Sequence, residues 1–264
     1  MHHQRIQLPY CHMDAYVPTL RTAPGVKRPS VVICPGGGYE HLSDREAEPI
    51  ALVFAAMGFN AFVVWYRIAP HHHPAALIDV AGSVAWVRAH AEEFCAAPDT
   101  IAVMGFSAGG HAAGHLGVRW HDEEFMAECG YTCEAVRPNA MVLCYPVITG
   151  GKFAHRGSFR NLTGTEELLV HERYSLEKMV TDQAPPTFLW HTFDDGAVPV
   201  ENTLMMASEL RKCGVMTEVH IFPYGGHGLA LANPLTSMSP GQNLPECAQW
   251  PEMAARFLRT MLPV

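Results

Sequence analysis

A strand followed directly by a helix is predicted by the stretch Ile101-Ala102-Val103-Met104-Gly105-Phe106-Ser107-Ala108-Gly109-Gly110. Its first six residues form an apolar run typical of a buried strand, and residues 107–118 form a predicted helix that opens with small side chains. The glycines on either side of Ser107 remove Cβ atoms that would collide where the chain turns from strand to helix. Such a turn projects the serine hydroxyl at a helix N-terminus, where negative charge is favoured. The simpler alternative is a small-residue turn that only allows close packing of strand and helix.

Five further apolar runs have the composition of buried strands. They are short, rich in β-branched or aromatic residues, and bounded by glycine or proline. They cover residues 31–34, 61–66, 140–145, 187–191 and 218–222. Helical patterns alternate with the strands, at residues 45–57, 75–94, 107–118, 200–213 and 247–261. This order predicts an α/β fold, with a mostly parallel central sheet and helices on both faces in three layers.

The chain of 264 residues is long enough to bury a sizeable core, and we expect a single domain over 1–264. Residues 5–20 are expected to add one or two antiparallel strands at an edge of the sheet. Residues 147–186 interrupt the alternation of strands and helices. Because long insertions at strand ends usually shape a cleft, we interpret 147–186 as a small lid or cleft wall.

Three motifs together resemble the esterase/lipase branch of the α/β-hydrolases. They are Pro35-Gly36-Gly37-Gly38-Tyr39, Tyr66-Arg67-Ile68-Ala69-Pro70 and Gly105-Phe106-Ser107-Ala108-Gly109-Gly110-His111. The resemblance extends over about residues 30–230 and is greatest to small bacterial acetylesterases of the acetyl-xylan-esterase type. It implies the α/β-hydrolase fold and a serine nucleophile at Ser107, with no metal and no organic cofactor. Related lipases often have histidine where this chain has Pro35.

The same resemblance implies an oxyanion hole, a group of N–H donors that holds a developing negative oxygen. The implied donors are the backbone amides of Gly37, Gly38 and Ala108. A flexible turn is the plainer interpretation of the three glycines. A phosphate-binding loop is a second alternative, but no Lys-Ser or Lys-Thr pair follows it.

A serine nucleophile needs a histidine that removes its proton and a carboxylate that orients the histidine, in the chain order serine, acid, histidine. His227 follows the last predicted strand and lies between glycines, in Gly225-Gly226-His227-Gly228. We therefore predict that His227 is the base among sixteen histidines. The competing histidines have other expected roles. We expect His111 and His115 to pack on a helix, and His191 and His220 to lie within strands. Residues 71–73 are expected in an exposed polar loop.

The acid is expected after the fifth predicted strand, where Asp194 and Asp195 are adjacent. Only one of two neighbouring side chains can face the histidine, and the spacing alone leaves both open. The resemblance implies Asp195, because the family places its acid three residues before Val-Pro. Asp194 is then expected to hydrogen-bond the loop.

These residues predict a serine esterase, and the lack of a long apolar cap segment disfavours large lipid substrates. The resemblance implies short-chain acyl esters, acetyl esters above all, including those of carbohydrates. Tyr39 is a candidate for binding substrate, although buried packing is the competing interpretation. A peptidase or amidase with the same triad is one alternative function. A catalytically silent binding module on a hydrolase scaffold is another.

Charge and composition exclude several other classes of protein. The net charge is −8, and no run of lysine or arginine is present, so neither nucleic acid nor an anionic membrane surface is an expected partner. The N-terminal sequence lacks a signal-peptide pattern, which predicts a cytoplasmic protein with reduced cysteines. Zinc-type spacing of cysteine and histidine is missing, so no metal is expected. Association into a homo-oligomer is left open.

Overall fold

A sheet of eight strands lies at the centre of the computed structural model, which describes residues 1–19 and 25–263. The strands are β1 His2–Gln7, β2 His12–Val17, β3 Arg28–Cys34, β4 Asn60–Trp65, β5 Ala96–Phe106, β6 Ala140–Cys144, β7 Thr187–Thr192 and β8 Thr217–Phe222. The helices of the described residues are α1 Glu48–Ala56, α2 Ala75–Ala89, α3 Ala108–Arg119, α4 Glu123–Glu128, α5 Cys133–Val136, α6 Arg156–Thr163, α7 Leu168–Glu172, α8 Glu201–Lys212 and α9 Trp250–Met261.

The strand order is β1-β2-β4-β3-β5-β6-β7-β8. Strands β1 and β2 pair antiparallel, as do β2 and β4, and every other neighbouring pair is parallel. The prediction of a mostly parallel sheet is therefore confirmed. The antiparallel strands expected within residues 5–20 are also present, except that residue 20 lies outside the described residues.

The sheet has two covered faces, as its continuous apolar strands require. On β3, Val31 and Ile33 pack into a cluster that includes side chains of α1 and α9. Val32 and Cys34, which point the other way, pack into a cluster that includes α2, α3 and α8. Helix–sheet–helix layering follows, and the predicted three-layer α/β-hydrolase fold is confirmed.

The boundary between the second helix and β5 differs from the prediction of a helix over 75–94. Helix α2 ends at Ala89, and β5 begins at Ala96, which pairs with Arg28. Ala91 continues the helical spacing of apolar residues past the end of the helix, but it is buried from a turn that follows the helix. Cys95 has a positive φ of 50°, which ends any helical path before the strand.

The segment 147–186 contains α6, α7 and a 3-10 turn at Leu176–Lys178. Leu176 is fully buried in the core cluster beside α3. Asn161 of α6 donates a hydrogen bond of 2.9 Å to the carbonyl oxygen of Gly38, so the insertion contacts the glycine loop that follows β3. Its role as a lid or cleft wall, and the extent of the domain, stay predictions.

No helix in residues 1–19 and 25–263 combines the length and the apolar character needed to cross a membrane.

The junction between β5 and α3 depends on glycines that allow backbone-to-backbone contact. A Cβ atom on Gly109 would lie 2.1 Å from the carbonyl oxygen of Cys34 and 2.4 Å from that of Pro35. A Cβ atom on Gly105 would lie 2.1 Å from the carbonyl oxygen of Gly109. A real Cβ atom does not approach a backbone oxygen so closely, so only glycine allows the start of α3 to contact the end of β3.

Gly109→Ala should therefore lower the free energy of unfolding by about 3 kcal/mol, because backbone atoms rather than a flexible side chain must move. Urea unfolding followed by circular dichroism measures the change. Gly241→Ala is the matched control, because a Cβ atom there meets nothing within 4 Å. Equal stability of the two variants would contradict the close-packing explanation.

Candidate active site

Ser107 sits at the junction of β5 and α3 in a backbone conformation that L-residues rarely adopt, with φ 53° and ψ −118°. The conformation is held from several sides. Its amide donates to the carbonyl oxygen of Cys144 at 3.0 Å, and its own carbonyl oxygen accepts from the amides of His111 at 3.2 Å and Val147 at 3.0 Å. The surrounding fold thus maintains a strained residue, as is common at functional sites.

Three side chains from distant parts of the chain form one line of hydrogen bonds. The Nε2 atom of His227 lies 2.7 Å from Oγ of Ser107, and its Nδ1 atom lies 2.7 Å from Oδ2 of Asp195. A carboxylate only accepts, so a neutral His227 carries its proton on Nδ1 and leaves Nε2 free to accept from the serine hydroxyl. This arrangement can deprotonate the serine and stabilise the imidazolium that results.

Asp195 is buried, and both of its oxygens are occupied. Its Oδ1 atom accepts from the amides of Ala197 at 2.9 Å and Val198 at 3.0 Å, and Oδ2 is shared by His227 and His191. Burial raises the pKa of this carboxyl, but the hydrogen bonds from His191 and His227 outweigh that effect and hold the pKa well below its ordinary value. Asp195 is therefore ionised beside His227.

Asp194 faces away from this line of contacts. Its Oδ1 atom accepts a hydrogen bond of 2.6 Å from the amide of Gly225, two residues before His227. The expected loop contact of Asp194 is confirmed. Of the two neighbouring acids, Asp195 is the one that faces the histidine.

The glycine loop after β3 lies beside the serine, since a Cβ atom on Gly36 would come within 3.0 Å of Cβ of Ser107. Gly37 and Gly38 both have positive φ, at 127° and 66°. Within the described residues, no acceptor takes a hydrogen bond from the amides of Gly37, Gly38 or Ala108. These amides are available to a bound oxygen, although their role as an oxyanion hole stays a prediction.

Glu46 is a buried acid that sequence reasoning missed. One carboxylate oxygen accepts from the amide of Gly36 at 2.8 Å, and the other accepts from the hydroxyl of Tyr145 at 2.7 Å. Tyr145 in turn accepts from the amide of Ala230 at 2.9 Å. Burial raises the pKa of Glu46, while the bonds from Tyr145 and Gly36 oppose the shift. This chain of contacts links the glycine loop to the segment that carries His227.

No motif in the sequence indicates that Glu46 is buried against the glycine loop. It stands in Ser43-Asp44-Arg45-Glu46, which reads as the charged first turn of an exposed helix. Only an indirect argument points to an acid here, because the buried amide of Gly36 needs a hydrogen-bond acceptor.

Tyr39 is buried, and its hydroxyl lies 2.9 Å from Nδ1 of His111. His111 donates from Nε2 to the carbonyl oxygen of Tyr174 at 2.8 Å, and burial lowers its pKa to about 4. His111 and His115 are both buried, as expected of packing side chains. For Tyr39 the structure gives an internal contact, and the binding of substrate stays a prediction.

The run His71-His72-His73 is only partly the exposed loop that the sequence indicates. His71 and His72 are exposed, but His73 packs against His115 with ring centroids 5.1 Å apart. Burial lowers the pKa of His73 to about 4. In the part of the chain that the structure describes, no group of three histidine, cysteine or acidic side chains is arranged to hold a metal ion.

Comparison with known sequences extends over most of the chain. The family model BD-FAE matches residues 13–210. Endo-1,4-beta-xylanase B of Butyrivibrio fibrisolvens is 38% identical over 218 residues, which are 79% of this chain and 33% of that protein. Acetylxylan esterase of Xylanibacter ruminicola is 31% identical over 206 residues, which are 75% of this chain and 40% of that protein. The chain spans between a third and about half of the length of the curated relatives it matches.

Solved structures match over nearly the whole chain. An acetyl ester-xyloside bifunctional hydrolase from Caldicellulosiruptor lactoaceticus superposes with a TM-score of 0.81 at 36% identity, over 96% of this chain and 89% of that one. A carboxylesterase from Lactobacillus plantarum superposes with a TM-score of 0.87 at 28% identity, over the full length of both. The chain therefore belongs to the BD-FAE family and has the α/β-hydrolase fold.

Proposed function

We propose that this protein is a carboxylic ester hydrolase that cleaves short-chain acyl esters through an acyl-enzyme on Ser107. The observation that carries the proposal is the pair of 2.7 Å contacts that join the serine hydroxyl to His227 and His227 to Asp195. Esterases among the relatives support the reaction class.

In the first step, the Oγ atom of Ser107 attacks the ester carbonyl carbon while Nε2 of His227 takes the hydroxyl proton. The carbonyl π electrons move to oxygen, and the amides of Gly37, Gly38 and Ala108 receive the resulting negative charge. Donors of this kind contribute about 3–4 kcal/mol each in other hydrolases. The intermediate then collapses, the bond to the alcohol oxygen breaks, and His227 protonates the departing alkoxide.

In the second step, water attacks the acyl-serine carbonyl carbon while His227 takes a proton from the water. The second tetrahedral intermediate expels Oγ of Ser107, which recovers its proton from His227 as the carboxylic acid leaves. Asp195 stays ionised throughout and stabilises the imidazolium that forms twice in each turnover. Its lowered pKa supports that role.

For the substrate, we propose acetyl esters, including those of sugars. The support comes from two named relatives, an acetylxylan esterase and an acetyl ester-xyloside hydrolase. A cytoplasmic location and association into a homo-oligomer stay predictions.

Ser107→Ala should lower kcat for 4-nitrophenyl acetate by at least about 10⁴-fold, because the acyl-enzyme can no longer form. The release of 4-nitrophenol by the purified variant measures the loss of activity, and its circular dichroism spectrum checks that it is folded. A folded variant with near-normal turnover would remove the proposed mechanism.

Asp195→Asn should lower kcat by about 10³- to 10⁴-fold, because an asparagine can present its N–H to His227 and favour the wrong tautomer. Asp194→Asn is the matched control, since its remaining amide oxygen can still accept from Gly225. That variant should keep nearly normal turnover. The opposite ranking of the two variants would contradict the assignment of Asp195.

A panel of 4-nitrophenyl esters should give the highest kcat/KM for acetyl and a steady decline with longer acyl chains. Acetylated xylose and acetyl-alanine 4-nitroanilide extend the panel to a sugar ester and an amide. We expect acetate release from the sugar and no release of nitroaniline. A preference for the anilide would instead identify an amidase, and no reaction of any substrate or of a fluorophosphonate probe would identify a silent scaffold.

A further inference from the structure

His191 on β7 is a fully buried histidine that the proposed reaction does not use. Its Nε2 atom lies 3.2 Å from Oδ2 of Asp195 and 2.9 Å from the carbonyl oxygen of Val198. Its Nδ1 atom lies 2.8 Å from Oγ1 of Thr203 on α8. Every polar atom of the ring therefore has a partner.

These partners determine where the proton of His191 lies. A carboxylate and a carbonyl oxygen can only accept, so Nε2 must carry hydrogen. A neutral ring then accepts at Nδ1 from the hydroxyl of Thr203, and no positive charge needs to be buried. Two histidines, His191 and His227, thus donate to one and the same carboxylate oxygen of Asp195.

We infer that His191 is a positioning residue of the proposed triad, which fixes the Asp195 carboxylate and moderates its hold on the proton of His227. The inference rests on the proposed function. A second donor on Oδ2 withdraws negative charge from the oxygen that faces His227. It also restrains rotation of the carboxylate, together with the amides of Ala197 and Val198 on the other oxygen.

The test follows His227, which lies beside Tyr145 with ring centroids 5.2 Å apart and interacts electrostatically with Glu46 and His155. These three groups are unchanged in a variant of His191.

Asp195 touches the His191 ring directly, and His227 lies on the far side of the shared oxygen. The other hydrogen bonds of the His191 ring are with the uncharged Thr203 and the backbone of Val198. Without the donor at position 191, Asp195 should hold the proton of His227 more strongly. His227 would then stay protonated, and inactive as a base, up to a higher pH.

The test compares His191→Phe, which keeps a ring but no donor, with His191→Gln, which keeps an N–H near the position of Nε2. The measured quantities are kcat and KM for 4-nitrophenyl acetate, and the profile of kcat/KM from roughly pH 4 to pH 10, which reports the essential base of the free enzyme. His191→Phe should lower kcat by about 10- to 100-fold with little change in KM, and its acidic limb should move to higher pH. His191→Gln should keep the acidic limb closer to that of the native protein.

His220→Phe is the matched control, because His220 is also a strand histidine but hydrogen-bonds Glu218 and contacts no member of the triad. It should leave both the rate and the profile unchanged. A residue that only fills space would change stability and leave the acidic limb in place. An acidic limb in folded His191→Phe that superposes on the native one would therefore overturn the inference, as would equal displacement in His191→Gln.

If His191→Phe does not fold, long-range ¹H–¹⁵N spectra of the native protein test the premise that Nε2 of His191 is a donor, and the pH profile of His191→Gln is still compared with that of the native protein. A proton on Nε2 of His191 is expected, and a proton on Nδ1 alone would overturn the inference. Failure of the proposed function looks different, because Ser107→Ala would then keep its activity. Loss of activity in Ser107→Ala with an unchanged profile in His191→Phe would reject only the role of His191.

Discussion

The strained backbone of Ser107 determines how the other parts of the site are arranged. A φ of 53° turns the chain from β5 into α3 within one residue, and the amide of Ser107 is anchored to the neighbouring strand through Cys144. The turn fits only because Gly105 and Gly109 let backbone atoms come into direct contact. Strain of this kind costs about 1–3 kcal/mol, which the packing of the surrounding layers must offset. In return the serine hydroxyl projects from the edge of the sheet.

The parallel strands explain why residues so far apart in the chain meet. The carboxyl ends of strands β3, β5, β7 and β8 all lie on the same side of the sheet, and each strand is followed by one part of the site. The glycine loop follows β3, Ser107 follows β5, Asp195 follows β7 and His227 follows β8. Ligands of open α/β sheets bind outside the carboxyl ends of the strands, because the loops there can vary while the strands keep their spacing.

The fold, Ser107 and His227 could be predicted from local features of the sequence, namely the apolar run before Ser107 and the glycines around His227. The choice of Asp195 over Asp194 needed the family resemblance, because two adjacent acids have no distinguishing spacing. The supporting polar contacts could not be predicted. Glu46 resembles an exposed helix residue, and His191 resembles any strand residue, yet each is buried against a group brought near by tertiary packing. The sequence pattern makes helix α2 too long, because Ala91 continues the apolar spacing after the helix has ended at Ala89. Hydrogen-bond partners that only tertiary packing brings together produce no recognisable residue spacing in the sequence.

In the proposed mechanism the hydroxyl of Ser107 becomes acylated during turnover. Rapid acid quench of the protein with an acetyl ester, followed by mass spectrometry of its peptides, measures this directly. The peptide that contains Ser107 should gain the mass of one acetyl group before steady state and lose it as substrate is consumed. Acetyl transfer to a different residue, or turnover with no acylated peptide at any time, would contradict the proposed mechanism.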